Sequence, residues 1–164
     1  MPLHTVTPAR PAPVLLFALS LLWASTLIAV PFLADRAAGN PQLSRTAGFV
    51  YLVGSLVCHQ RPERSFHPWG VQVPVCARCE GLYLAAPFSI GVVLTVRRRG
   101  ARVLASRWMW QRVILFASLP TILTLVWEWT TGEMTSGMVR ATAGFALGAA
   151  MAAMVAAVTV GDLR

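Results

Sequence analysis

Three cysteines, Cys58, Cys76 and Cys79, are the residues whose type and spacing can do chemistry in this chain. Cys76-Ala77-Arg78-Cys79 is a C-x-x-C pair. If a helix starts there, positions three apart share one face, and two thiolates on one face can hold one metal ion. Cys58 adds a third sulfur across a loop-like interval, and His59 or His67 a fourth ligand. A Cys3His set is a familiar tetrahedral zinc constellation. Cys58 and His59 are adjacent and point in different directions, so His67 stands as the alternative to His59. Iron–sulfur ligation calls for more cysteines than the chain has. The expected site is therefore metal, with Cys58, His59, Cys76 and Cys79 as ligands, His67 in reserve and zinc as the ion.

Two other chemistries compete. A C-x-x-C pair at a helix start favours the thiolate, because the helix N-terminus stabilises negative charge. Arg78 between the cysteines adds to this, so a membrane thiol–disulfide oxidoreductase using Cys76 and Cys79 is the alternative enzyme reading. The chain has no second cysteine pair, which that reading would want. A plain structural disulfide is the inert reading, although an odd number of cysteines argues against a framework made only of disulfides. A transporter or an accessory subunit of a membrane complex, using the helices themselves, is the third class.

The elements that must position these residues are apolar. Of 164 residues, 56% are hydrophobic and 12% charged, with mean hydropathy +0.62. A soluble domain of this size cannot hide so much apolar side chain. The spacing of apolar runs predicts an all-α integral membrane helical bundle. It has about four transmembrane helices, at 14–33, 76–96, 113–131 and 138–160, plus one short re-entrant or interfacial helix at 43–57. Residues 1–13 read as a disordered tail and 14–164 as a single domain. The run Val14 to Leu33 is long for a signal peptide and lacks a good cleavage site, so it is expected to be retained.

The net charge of +8 comes entirely from arginines, six of them between Arg97 and Arg112. Between two apolar runs, this is the signature of a cytoplasmic loop rather than of nucleic-acid binding. It places residues 58–75 outside the cytoplasm and both termini inside, in a plasma membrane such as a bacterial inner membrane. The lipid bilayer is the implied partner; nothing indicates nucleic acid or a particular protein. Gly81, Ala85 and Ser89, and Gly144 with Gly148, form small-residue strips for close helix packing. Glu128 and Arg140 are ionisable residues near span ends, where such groups are usually paired. They are expected to pair with each other, or with Arg78 and Glu80, as polar support for the cysteine site.

The cysteine region resembles a family of predicted membrane proteins catalogued as domain of unknown function 2085. The matching pieces are Cys58-His59-Gln60, Pro62-Glu63-Arg64-Ser65-Phe66, Gly70, Pro74-Val75-Cys76-Ala77-Arg78-Cys79 and Gly81-Leu82-Tyr83. A weaker match is Ser136-Gly137, Arg140 and Gly144. The resemblance covers roughly residues 45–150. The chain departs at Glu80, where the family usually has threonine. It also lacks the family's aspartate in the third span, unless Glu128 takes its place. The resemblance implies a membrane protein and brings no substrate or reaction with it.

Overall fold

The computed structural model describes residues 11–36, 40–101 and 106–162. The expected tail therefore lies outside the described residues except for Pro11–Pro13, and so does part of the arginine loop. Among the described residues five α-helices follow in chain order: α1 (Pro11–Asp35), α2 (Pro41–Val57), α3 (Ala77–Arg98), α4 (Arg107–Thr131) and α5 (Gly137–Val160). There is no strand among the described residues. Helices α1, α3, α4 and α5 are each long and apolar enough to cross a membrane. At 17 residues, α2 falls short of the roughly 20 that a span needs.

The local chemistry explains the helix ends. α1 starts at Pro11, three residues inside the expected tail; a proline in the first turn loses no hydrogen bond. Asn40 caps α2, its Oδ1 accepting from the Gln42 and Leu43 N–H groups at 3.1 and 3.3 Å. Ser106 and Ser136 cap α4 and α5 through the Met109 and Val139 N–H groups, both at 3.3 Å. α4 and α5 stop at Gly132 and Gly161, whose φ angles of 72° and 79° lie in the left-handed region that glycine tolerates. Pro31, Pro87 and Pro120 lie inside α1, α3 and α4, and each helix continues through its proline.

α3 and α5 make the most extensive contact in the bundle. Along it, a Cβ on Gly81 would collide with the Ala141 carbonyl, one on Gly144 with the Arg78 carbonyl, and one on Gly148 with the Leu82 backbone. The Gly144/Gly148 strip thus serves a contact within the chain. α1 lies on α3, where Leu16 and Phe17 meet Ile90 and Val93. Its other end reaches the cysteines through Leu27. α4 lies on α5, with Trp110 against Ala157 near one end and the Thr121 hydroxyl donating to the Ala143 carbonyl at 3.0 Å further along.

This arrangement gives the bundle a cysteine end and an arginine end. α2 stays tied to the cysteine end. It starts soon after α1 stops, and it finishes at Cys58, which packs on Leu27 together with Val73 and Val75. The outward side chains are apolar: Leu22, Phe88, Phe116 and Leu123 are all well exposed on the spans. That surface is what a lipid-facing bundle presents.

Replacing Gly144 by Ile should force α3 and α5 apart and destabilise the bundle by at least the roughly 1–3 kcal/mol typical of overpacking. Gly48→Ala, where nothing lies within 4 Å of an added Cβ, should not. Thermal unfolding of the detergent-solubilised variants measures the difference; equal losses would contradict the packing.

Candidate functional site

Each cysteine is delivered by a different local feature. Cys58 ends α2 in extended conformation, its N–H donating to the Gly54 carbonyl at 2.9 Å. Cys76 is the residue before α3, and Cys79 lies in that helix's first turn. The Cys76 N–H donates to the Cys58 sulfur at 3.2 Å, which docks the two segments. The three Sγ atoms lie within 4.8 Å of one another, and none is in a disulfide. Cys58 is buried and the other two are half-buried.

The connecting loop is held by two glutamines. Gln60 Nε2 donates to the Tyr51 carbonyl at 2.7 Å and to the Pro74 carbonyl at 2.6 Å. Gln72 Nε2 donates to the Gln60 carbonyl at 2.6 Å, and the Tyr51 hydroxyl donates to the Gln72 carbonyl. These bonds hold Gln60 at φ 48°, a left-handed conformation that costs a non-glycine residue free energy. Gly54 must be glycine here, since a Cβ would strike the Pro74 carbonyl. Gln60 and Gln72 position the cysteines, and reasoning from the sequence did not single out either one as a site residue. The Cys58-His59-Gln60 triplet contained a signal for the first; Gln72 had none.

The histidines are elsewhere. His59 and His67 are both exposed, and neither joins the thiol group. His67 lines a cavity of about 490 Å³ between α1 and the loop, together with Phe66, Trp69 and Glu80. The thiols themselves are not alike. A hydrogen bond from the Cys79 thiol lowers the Cys76 thiol below its ordinary value, against the opposing effect of burial. A thiolate at Cys76 also meets the start of α3, where the helix dipole favours negative charge. Zinc–sulfur bonds of about 2.3 Å in a tetrahedron set sulfurs ~3.8 Å apart, which a group within 4.8 Å satisfies with small side-chain adjustments.

Beside the cysteines lies a buried ion cluster. Arg140 Nε donates to Glu128 Oε1 at 2.8 Å, and both side chains are 4% exposed. The Thr135 hydroxyl donates to the same oxygen at 2.6 Å. Arg78, between the two cysteines, reaches across to α4, donating to Thr124 Oγ1 at 3.0 Å and approaching Glu128 Oε1 to 3.6 Å. The structure thus brings Arg78, Glu128 and Arg140 together, while Glu80 turns toward the His67 cavity. One Glu80 carboxylate oxygen is buried there without a hydrogen-bond partner among the described residues.

The model of a family described as Predicted membrane protein (DUF2085) matches residues 58–154, which take in the cysteines and the ion cluster. An Uncharacterized protein of Methanocaldococcus jannaschii is 56% identical over 34 residues, 21% of this chain and 22% of the relative. An Uncharacterized protein of Methanothermobacter thermautotrophicus is 42% identical over 50 residues, 29% of this chain and 45% of the relative. The matched stretches span less than half the length of either relative. No solved structure matches the chain.

Glu128→Leu should be the most damaging change in the ion cluster, costing about 3–5 kcal/mol, because it leaves two guanidiniums without their carboxylate. Arg140→Met should cost less, since Thr135 and Arg78 still face Glu128. Unfolding midpoints in detergent rank the two variants, and the reverse order would contradict this reading of the cluster.

Proposed function

Because the chain belongs to the DUF2085 family of predicted membrane proteins, we propose that it is a multi-pass membrane protein whose cysteine end binds one metal ion. The observation that carries this reading is the convergence of three unoxidised thiols within 4.8 Å, drawn from two segments that a bound ion would clamp together. Zinc is the ion that best suits three thiolates at the head of a helix. Cys58, Cys76 and Cys79 supply those ligands. The fourth position falls to water or to a histidine of the exposed loop, His67 or His59. Arg78, Glu128 and Arg140 support the site by holding the head of α3 against α4 and α5, and Glu80 borders it. The role of the metal is structural: it fastens the end of α2 to the start of α3.

A second reading rests on the same proximity. Two thiols this close can close into a disulfide and act as a membrane thiol–disulfide oxidoreductase. Metal content and free-thiol content of the purified protein separate the two. One zinc per chain, lost in Cys76→Ser, is the expected result. No metal with two thiols missing would replace the metal site by the redox pair. Retention of the zinc in His67→Ala and loss in His59→Ala would identify the fourth ligand as His59.

The site is proposed to face away from the cytoplasm of a plasma membrane, with the arginine loop inside. Both relatives are archaeal, and the same orientation rule serves a bacterial inner membrane. A reporter enzyme that matures only outside the cytoplasm, fused at Arg99, should be inactive. An active reporter would invert the topology and put the cysteines inside.

A further inference from the structure

α5 packs against both α3 and α4, but the backbones of α3 and α4 stay apart, and Arg78 bridges the two helices at the cysteine end. Between them a groove of about 650 Å³ opens sideways from the bundle, walled by Val92, Val96, Met109 and Val113 and floored by Ala149 and Ala153. A second furrow of about 510 Å³ runs on the other side of the ridge made by Phe88, Val92 and Val96, and it reaches Arg99. From Phe88 to Arg99 the helix rises about 16 Å at roughly 1.5 Å per residue. That is half of a hydrocarbon core about 30 Å thick. The two furrows therefore run the depth of one leaflet, side by side, and end where the arginines begin.

We propose that these furrows hold one anionic phospholipid of the leaflet at the arginine end, its two acyl chains astride the Phe88–Val92–Val96 ridge and its headgroup over the arginines. Two observations favour this occupant. Arg97 is paired with Asp162, and Arg112 stacks on Trp108 at 3.3 Å, whereas Arg98, Arg99 and Arg107 have no ion-pair partner among the described residues. A phosphate diester whose charge is not offset by a cationic headgroup suits that remaining charge. Trp110 lines the groove from the first turn of α4, three residues after Arg107. Tryptophan belongs at the level of the lipid headgroups. A second copy of the chain fits less well. A parallel copy would bring its own arginines beside these.

The test uses the full chain in detergent, stripped of lipid and titrated with phosphatidylglycerol or with phosphatidylcholine of the same acyl chains. Native mass spectrometry counts the lipids retained. One phosphatidylglycerol should stay bound under conditions that release phosphatidylcholine. Arg99→Gln and Arg107→Gln should each weaken phosphatidylglycerol about fivefold and leave phosphatidylcholine unchanged. Ala149→Phe, which places a ring on the groove floor, should abolish retention, with helix content and free-thiol count as in the parent. If that variant does not fold, Ala153→Leu fills the same floor. Equal retention of the two lipids, or insensitivity to both arginines, would overturn the proposal. So would a dimer mass that disappears on filling the groove, which would identify a second copy as the occupant.

Discussion

The backbone-close approach of α3 and α5 is the contact on which the rest of the bundle depends. Inside a bilayer, lipid tails are as apolar as leucine, so helices gain nothing by hiding from them and must gain from close packing. Gly81, Gly144 and Gly148 make that possible, because each lets one helix rest directly on the other's carbonyl groups. The same contact sets the height of the first turn of α3 relative to α5. It thereby decides where Arg78, Cys76 and Cys79 stand, and it brings Arg140 level with Glu128.

The cysteine end is built on that platform by polar restraint added to apolar burial, since Cys58 packs on Leu27, Val73 and Val75. A loop with four prolines and glycines at its breaks would be free to wander without Gln60 and Gln72, whose amides tie it to the backbone of α2 and to itself. With the loop held, Cys58 lies beside the head of α3, and the Cys76 N–H bonds its sulfur. The charges nearby have a sense. One carboxylate faces two guanidiniums, an excess of one positive charge next to the thiols. A divalent ion held by three thiolates carries one net negative charge, opposite in sign to the cluster.

The bundle is asymmetric as a result. Its α3–α5 core is too tight to admit a methyl group at the crossing points, while α3 and α4 stand apart over the floor of α5. α4 is held to the rest by a few well-separated attachments: Trp110 near one end, Thr121 in the middle, and Thr124 and Glu128 toward the other. A helix held in that way leaves lateral space along its length, and that space falls in the half of the bundle next to the arginines.

Much of this was legible in the sequence. Four apolar runs long enough to span are a local property of composition, and four helices are long and apolar enough to cross, the third starting at Arg107, six residues before the run marked in the sequence, because Ser106 caps it there. The short stretch before Cys58 reads as too short to cross, and it forms a helix of 17 residues. The C-x-x-C pair was readable as two sulfurs on one face because helical period is local too. What the sequence could not determine is what meets across the chain. Only the tertiary structure brings Cys58 to the C-x-x-C pair while leaving His59 and His67 at the surface, because that outcome depends on the hydrogen bonds of a loop with no periodicity. Likewise the sequence marked Arg78, Glu128 and Arg140 as charges in need of partners, but the packing of α3, α4 and α5 chose the pairing and turned Glu80 away. Span length and face follow from short-range spacing, whereas the meeting of side chains distant in sequence follows from how closely the helices are allowed to pack.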